Sequence, residues 1–341
     1  MITEDGRKNA NLHILPKGTL LIAITGLEAA GTRGSCAILG IKATTNQSCM
    51  ALIPNTEKVT RDFLYNWYLK IGQEYGIKYT QGTKQQSYNI DILKKLPIKI
   101  PQSIEEQNKI TELLTLIEQR IKFMEKKYKM FNYYKRAFIQ SLPLTCKEDL
   151  KISKWSFIPL NDCMYEHKTK STGHEEVYSV SVYEGLINQI EHLGRSYSAE
   201  DTSKYNLVKP GDIVYTKSPT GNFPLGIIKQ SHLNKNVIVS PLYGVFTPTS
   251  YELGYILEAF FESSIQCNNY LHPLVQKGAK NTMNINNKTF LSKKIHVPVD
   301  INEQKRIFEV IKVINEKLEL IKYELLLNNA FKKSLLSKMF C

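Results

Sequence analysis

Ile100-Pro101-Gln102-Ser103-Ile104-Glu105-Glu106-Gln107 recurs later in the chain as Val297-Pro298-Val299-Asp300-Ile301-Asn302-Glu303-Gln304. Gln304 lies 197 positions after Gln107, and the two prolines keep the same offset. Ser103 with Glu106 forms a capping box, in which the first side chain accepts a helical N–H and the glutamate bonds back to the cap. Asp300 with Glu303 repeats this pattern, so each copy predicts the start of a helix.

Apolar residues follow each cap at alternating steps of four and three, which is the seam pattern of a coiled coil. The predicted seam residues are Ile110, Leu114, Ile117, Ile121, Met124 and Tyr128, and at the same offset Ile307, Ile311, Ile314, Leu318, Ile321 and Leu325. Each helix has about 38 residues and is about 57 Å long. Matched length, phase and caps favour packing of the helices on each other, although packing on separate cores would also bury both seams.

The composition favours a folded protein with a polyanionic partner. The 341 residues include 45 Lys plus Arg against 32 Asp plus Glu, a net charge of +13, and 42% are hydrophobic. Such a charge points to nucleic acid, although a solvated basic surface has the same composition. The six cysteines show no CxxC pairing and the seven histidines are scattered, so no metal site is predicted. No membrane span or signal peptide is recognisable, which predicts a cytoplasmic protein.

The region before each helix is also repeated. Pro16-Lys17-Gly18 followed by an apolar strand corresponds to Lys209-Pro210-Gly211, and the polar loop 82–90 corresponds to 278–285. We predict five segments, namely a first domain 1–100, its helix 101–142, a linker 143–154, a second domain 155–298 and its helix 299–341. The first domain has only seventeen residues before Gly18, whereas the second has about 55 before the end of its motif. We therefore expect a shortened first domain, or one that another chain completes.

With these residues in view, the chain resembles the specificity subunit of a type I restriction–modification system. The resemblance rests on the two capped heptad helices, on Leu15–Ile22 and Val208–Val214, and on Thr44–Cys49. It implies an α+β fold, with two mixed, mainly β target-recognition domains that alternate with two long helices paired as an antiparallel coiled coil with pseudo-twofold symmetry. It also implies a target of two short sequences around a spacer that the helices set. The short front of the first domain departs from the family pattern.

DNA recognition needs cations for phosphates and amide, hydroxyl or guanidinium groups for base edges. The predicted contacts in the first domain are Arg33, Lys84, Gln85 and Gln86, and in the second Lys168, Lys170, Ser171, Lys217, Ser218, Thr220, Asn222, Lys280 and Asn281. Each of them is equally explained as an ordinary solvated loop residue. Tyr178, Tyr183 and Tyr197 suit stacking on a base but more often form cores. Lys122, Lys126, Lys127, Lys129, Lys135 and Arg136 suit phosphates or a solvated helix flank.

No catalytic motif is recognisable, because the sequence lacks a methyltransferase (Asn/Asp)-Pro-Pro-Tyr motif, a Walker A loop and a GxSxG elbow. A nuclease-like set around Asp300 fails, since Asp300 is a helix cap. The resemblance therefore implies a non-catalytic subunit that binds double-stranded DNA and recruits methyltransferase subunits, in two copies, and restriction subunits that translocate DNA. It places S-adenosylmethionine, ATP and Mg²⁺ on those partners, whose complex methylates adenine and cleaves DNA. The alternative function is a coiled-coil interaction scaffold without specific DNA recognition.

Overall fold

The computed structural model describes residues 3–27, 31–79, 87, 89–146, 152–190, 201–277 and 283–340. The chain divides into two structural units. Unit 1 combines Met1–Tyr128 with Leu320–Cys341, and unit 2 is the continuous segment Lys129–Glu319. Two long helices contribute residues to both units.

The described helices and strands alternate along the chain without a simple pattern. The helices are α1 (Glu4–Asn9), α2 (Arg61–Lys78), α3 (Ile90–Lys94), α4 (Ile104–Ser141), α5 (Tyr251–Phe261), α6 (Ser264–Leu271), α7 (Asn287–Ser292) and α8 (Ile301–Met339), with short 3₁₀ turns at Pro143–Thr145, Leu160–Asp162 and His272–Leu274. The strands are β1 (Leu20–Ala23), β2 (Cys36–Ile38), β3 (Cys49–Leu52), β4 (Trp155–Pro159), β5 (Met164–Glu166), β6 (Tyr178–Ser181), β7 (Gly185–Asn188), β8 (Asn206–Val208), β9 (Ile213–Tyr215), β10 (Ile228–Gln230), β11 (Val237–Val239), β12 (Gly244–Pro248), β13 (Gln276–Lys277), β14 (Met283–Asn284) and β15 (Lys294–Pro298).

Unit 1 contains a three-stranded antiparallel sheet of order β2-β1-β3. Leu20 in the central strand lies opposite Ile38 on one side and Leu52 on the other. Helix α2 covers this sheet, and its Phe63 is buried in one cluster with Ile22. Helix α2 continues for 18 residues, from Arg61 to Lys78.

Unit 2 contains a four-stranded antiparallel sheet of order β10-β9-β12-β5. Ile213, Val214 and Tyr215 follow one another in β9 and are all buried, because both faces of the sheet are covered. Ile213 and Tyr215 pack in the cluster formed with α5 and α6, whereas Val214 packs with Val245 and residues of β6, β8 and β11. A separate pair joins β4 to β15, the strand that leads into α8.

The two units repeat the same core arrangement. The order β2-β1-β3 in unit 1 matches β10-β9-β12 in unit 2. Gly18 and Gly211 precede the matching central strands, and both have a left-handed backbone, with φ of +92° and +86°. Glycine is favoured there because a side chain would strain the turn. The duplication predicted from the sequence is thus present in the structure.

Both long helices begin at their predicted caps. The N–H of Glu106 donates to Ser103 Oγ at 3.3 Å, and that of Glu303 donates to Asp300 Oδ1 at 2.8 Å. The return bond from the glutamate to the cap, which the capping box predicts, is absent among the described residues in both copies, and the Glu303 carboxylate accepts instead from Arg306 at 2.8 Å. One side-chain cap per helix is enough to fix where it starts.

The long helices pair through the seam that the heptads predict. In unit 1, Lys332 Nζ lies 2.5 Å from Glu118 Oε1, and Asn328 Nδ2 donates to Met124 Sδ at 3.7 Å. Residue numbers rise along one helix while those of their partners fall along the other, so the pairing is antiparallel. Buried seam residues are Leu114, Ile117, Ile121, Met124, Ile307, Ile311, Leu318 and Ile321, and partly buried ones are Ile110, Tyr128, Ile314 and Leu325.

Unit 2 contains its own part of this pairing. Ile139 of α4 packs in one cluster with Ile307 and Ile311 of α8. The end of α4 thus meets the beginning of α8, as an antiparallel arrangement requires. The predicted α+β fold with a paired antiparallel coiled coil is confirmed.

A buried glutamine fastens the first helix to unit 1. Gln107, which is 0% exposed, donates from Nε2 to the carbonyls of Lys58 and Pro101 and accepts at Oε1 from the N–H of Thr60. Thr60 caps α2, so a single side chain in the first turn of α4 links the helix to the start of α2. The amide has all its partners, which is what burial of such a group demands.

Gln304 makes the matching link in unit 2. Its Nε2 donates to the carbonyl of Pro298 at 2.8 Å, and its Oε1 accepts from Ser250 Oγ at 2.6 Å. Ser250 caps α5, the helix that corresponds to α2. The glutamine that ends each copy of the repeated stretch therefore has a physical role in joining helix to domain.

Candidate DNA interface

The candidate residues of unit 2 lie in loops that begin at one end of the four-stranded sheet. Tyr215, the last residue of β9, lies opposite Gly244, the first residue of β12. Glu166, the last residue of β5, lies opposite Phe246, so β5 runs toward the same end of the sheet as β9. The loops 167–171 and 216–227 therefore begin at the same end of the sheet, on the two strands that flank β12, although about fifty residues separate them in sequence.

Lys217 adopts a backbone conformation that is unusual for its residue type. Its φ is +60°, and a Cβ placed on Gly226 would lie 2.6 Å from its backbone nitrogen. The side chain is partly buried, and burial lowers the pKa of Lys217 while Glu166 opposes that change. Left-handed backbone in a residue other than glycine is costly and is concentrated at functional sites.

Lys168 is exposed, whereas Lys170 and Ser171 are engaged within the protein. Lys170 Nζ donates to Asn206 Oδ1 at 2.6 Å and to the carbonyl of Lys204. Ser171 Oγ donates to Glu175 Oε2 at 3.0 Å. These bonds hold the loop closed, so Ser171 is poorly placed to donate to a base unless the loop rearranges.

The carboxylate of Glu175 closes this loop. It accepts bonds from Ser171 Oγ and from both the N–H and the hydroxyl of Thr172. Partial burial opposes ionisation, but the bonds from Thr172 and Ser171 lower the pKa of Glu175 to about 2. The loop is therefore braced by an ionised carboxylate at neutral pH.

A tight hairpin presents the remaining described candidates of unit 2. Thr220 and Phe223 exchange backbone hydrogen bonds, and Gly221 between them has a φ of +52°. Ser218, Thr220 and Asn222 are exposed on this turn. The amide of Asn222 is thus presented to solvent on a short and well-supported loop.

In unit 1 only Arg33 belongs to the described candidates. Its aliphatic stem lies against α2, since a Cβ on Gly76 would be 3.0 Å from Arg33 Cγ. Gly34 allows this approach, with a φ of +73° and a backbone that touches Gly72. Lys84, Gln85, Gln86, Lys280 and Asn281 lie outside the described residues.

The three tyrosines considered for stacking differ. Tyr178 is buried, and Lys235 lies 5.8 Å from its ring centroid, so the interpretation as a core residue holds. Tyr183 is 92% exposed in the turn between β6 and β7. Tyr197 lies outside the described residues.

The lysines of the first helix also differ. Lys135 Nζ lies 2.5 Å from Glu262 Oε2, and Glu262 also pairs with Lys229 at 3.5 Å. Burial disfavours the charged form of Glu262, but Lys135 and Lys229 outweigh it and lower its pKa. The charge of Lys135 is therefore used to hold α4 on α5. The other five, Lys122, Lys126, Lys127, Lys129 and Arg136, are exposed.

A buried polar group beneath the loop escaped the sequence reasoning. Asp212, which is 1% exposed, accepts from Thr247 Oγ1 at 2.7 Å and from the N–H of Lys209. Its second oxygen also lies 2.8 Å from His167 Nε2. His167 follows β5 directly, so this contact fixes where the loop 167–171 starts. The only sign of this buried carboxylate in the sequence was Lys209-Pro210-Gly211-Asp212, which precedes strand β9.

Within the described ranges, no group of three or more His, Cys, Asp and Glu side chains is arranged to hold a metal ion. No helix in the same ranges is long and apolar enough to cross a membrane.

Known proteins resemble this chain in sequence and in fold. The specificity subunit of the type I restriction enzyme MjaIX from Methanocaldococcus jannaschii is 26% identical over 218 residues, which cover 60% of this chain and 49% of that protein. The chain thus spans about half the length of this curated relative. The crystal structure of the type I restriction–modification S subunit from M. genitalium aligns with this chain over 96% of this chain and 84% of that subunit, with a TM-score of 0.61 and 16% identity.

A second solved chain comes from a study of complex assembly and conformational transition of the type I restriction–modification system. It covers 96% of this chain and 82% of its own, with a TM-score of 0.54 and 12% identity. These two likenesses concern the fold. The family described as type I restriction modification DNA specificity domain matches residues 1–130 and 161–327, which include most of both repeats. The chain therefore belongs to the type I restriction modification DNA specificity domain family.

Proposed function

We propose that this chain is the non-catalytic DNA-recognition subunit of a type I restriction–modification complex and that it reads a bipartite target. The observation that carries the proposal is the family match to both copies of the repeat. Two related but different units suit two half-sites of different sequence, as paired readers do elsewhere. The net charge of +13 suits a DNA backbone.

The coiled coil is proposed to set the spacer between the half-sites. Helix α4 has 38 residues, which corresponds to about 57 Å. One turn of DNA is about 34 Å long. Half-sites one to two turns apart are therefore within the range of such a spacer.

The outer face of the long helices supports recruitment of partner subunits. Beside the buried seam, each long helix carries an exposed apolar stripe whose members are spaced by three, seven, seven and four residues. The two stripes comprise Leu113, Leu116, Phe123, Met130 and Tyr134 on α4, and Val310, Val313, Leu320, Leu327 and Phe331 on α8. Every member on α8 lies 197 positions after one on α4. Exposed apolar surface of this extent marks an interaction site.

The duplication of the stripe suits two copies of one partner. Leu113 and Leu116 belong to unit 1, and their equivalents Val310 and Val313 belong to unit 2. We propose that each stripe binds a helical segment of one methyltransferase subunit, with restriction subunits joining the complex as well. In this scheme the methyltransferase brings S-adenosylmethionine and modifies adenine, ATP and Mg²⁺ belong to the restriction subunits, and the complex acts in the cytoplasm.

Recruitment can be tested with single charges on the stripe. Leu116→Glu and Val313→Glu should each reduce the number of bound methyltransferase subunits from two to one, and the double variant should bind none. Gln119→Glu adds the same charge at an exposed polar neighbour and should keep both. Native mass spectrometry of the assembled complex gives these numbers, and unchanged stoichiometry in the double variant would rule out the stripe as the docking surface.

DNA recognition separates the proposal from the scaffold alternative. Footprinting of the reconstituted complex should show two protected sequences around an unprotected or sequence-independent spacer. Affinity should fall with salt at a log–log slope of about −0.9 per neutralised phosphate. A scaffold would bind its partners without preferring any DNA sequence, and that result would reject the proposed function.

A further inference from the structure

Glu166 was not singled out in the sequence, yet the strand registers bring it to the same end of the sheet as the strained Lys217. Glu166 ends β5, and Lys217 follows the end of β9, at the same end of the sheet. Glu166 is among the charges that act on Lys217. The two side chains thus place a donor and an acceptor at the same end of the sheet, at the ends of the two strands that flank β12.

Each member of the pair is held by the surrounding structure. Lys217 is fixed by its left-handed backbone and by the close approach of Gly226. Glu166 Oε1 accepts a bond of 2.8 Å from Asn287 Nδ2 in the first turn of α7. Side chains held on a rigid element present hydrogen-bonding groups with the precision that base reading requires.

The donors of Lys217 remain available. Among the described residues its ammonium forms no hydrogen bond, although the side chain is partly buried. Lys170 contrasts with it, because its Nζ is bonded to Asn206 and Lys204. A cation that is partly desolvated and directed to no protein acceptor is typical of a binding site.

We infer that Lys217 and Glu166 together read one G·C base pair in the major groove. In this arrangement Lys217 donates to O6 and N7 of guanine, and Glu166 accepts from N4 of the paired cytosine. The inference rests on the proposed function and names one position of the half-site that unit 2 reads.

The chemistry explains why other base pairs would be rejected. An A·T pair presents the N6 donor of adenine toward the lysine and the O4 acceptor of thymine toward the carboxylate. The lysine would keep only the N7 acceptor and would face the N6 donor, and the carboxylate would face a second acceptor, so the pair would be bound more weakly. A reversed C·G pair exchanges donor and acceptor with the same result. A well-placed contact of this type discriminates roughly tenfold to a hundredfold against the wrong base.

The test is selection of targets from a randomised duplex library by the full chain assembled with its methyltransferase subunits. Lys217→Met keeps the length of the side chain and removes its donors, and Glu166→Gln removes the charge of the acceptor. Both variants should relax the same single G·C position, by roughly tenfold or more, while the other positions of the target stay unchanged.

Lys154→Met is the matched control, because Lys154 is an exposed lysine of unit 2 with a φ of +68°. It carries the same substitution in the same backbone conformation, outside the loops, and should leave the target unaltered. Three results would overturn the inference: no relaxed position, relaxation at different positions in the two variants, or a uniform loss of affinity in Lys217→Met with a smaller salt slope. The last would indicate a phosphate contact.

The same selection separates this inference from the proposed function. If the unaltered complex selects a defined sequence and the Lys217→Met and Glu166→Gln variants select that same sequence, the base-reading pair is wrong and the recognition function stands. If the unaltered complex enriches no sequence, the proposed function fails and the inference fails with it.

Discussion

Gln304 offers the sharpest test of how a long helix is joined to its domain. Its two hydrogen bonds reach the carbonyl of Pro298 and the hydroxyl of Ser250, and the side chain is buried. Gln304→Met preserves the volume and flexibility of the side chain but removes both bonds. The substitution therefore isolates the polar link from the packing around it.

The expected cost follows from these contacts. A typical hydrogen bond contributes about 0.5 to 1.5 kcal/mol net, and an acceptor left buried without a donor costs about 1 to 3 kcal/mol. Ser250 keeps its capping bond to the N–H of Leu253, so its hydroxyl is not left alone. We expect Gln304→Met to lower the unfolding free energy of unit 2 by about 2 to 3 kcal/mol, which is about 30- to 140-fold in the equilibrium constant.

The assay uses the fact that each unit contains one tryptophan. Trp67 lies in unit 1 and Trp155 in unit 2, and the chain has only these two. In a Trp67→Phe background, the fluorescence of Trp155 follows unit 2 through a urea titration. Lys305→Ala, at the exposed neighbouring position, should change the unfolding free energy by less than about 0.5 kcal/mol. A midpoint for Gln304→Met equal to that of Lys305→Ala would refute the proposed link.

Three further predictions concern unit 2. Burial opposes ionisation of Glu262, but Lys135 and Lys229 lower its pKa. The ionised carboxylate therefore stabilises unit 2 above its ordinary pKa of 4.5, and this stabilisation is lost as the pH falls through the pKa of the folded state. Glu262→Gln should lower the unfolding free energy by about 1 kcal/mol at pH 7 and by progressively less in acid, as measured by urea titration. Burial raises the pKa of Cys163 and Cys267 to about 12, so both should resist iodoacetamide at pH 8 in the folded protein, by peptide mass spectrometry, and rapid labelling would contradict their burial. Gly226→Ala forces a side chain against a backbone nitrogen at φ +99° and should cost at least about 2 kcal/mol; an unchanged melting temperature would show that the loop adapts.

The helices were predictable because their determinants are local. Ser103 and Asp300 cap the helices from positions adjacent to them, and the seam repeats at the spacing of a coiled coil. Antiparallel pairing came from the family resemblance, since periodicity alone does not give direction. The sequence showed that Gln107 and Gln304 were repeated but gave no reason, because two of the three partners of Gln107, Lys58 and Thr60, lie nearly fifty residues away.

The candidate interface was less predictable because its side chains have distant partners. Ser171 was chosen for its hydroxyl, but Glu175 accepts that hydroxyl in the folded loop. Lys135 was chosen for its charge, but Glu262, 127 positions away, pairs with it. Glu166 was not among the predicted contacts, and only the register of β5 brings it to the same end of the sheet as Lys217. Residue type limits what a side chain does, and tertiary contacts decide whether it is available.

The division of the chain into two units affects the order in which they can fold during translation. Unit 2 is one continuous segment, whereas the core of unit 1 joins Phe63 near the beginning of the chain to Phe340 near its end, with ring centroids 4.9 Å apart. All residues of unit 2 are available once Glu319 has emerged from the ribosome. The core of unit 1, in contrast, cannot be completed until the last turns of α8 and Phe340 have been translated. Until then, the apolar side chains that pack with Phe340, including Phe63, are uncovered, and nascent chains stalled before Phe340 should bind chaperones through them.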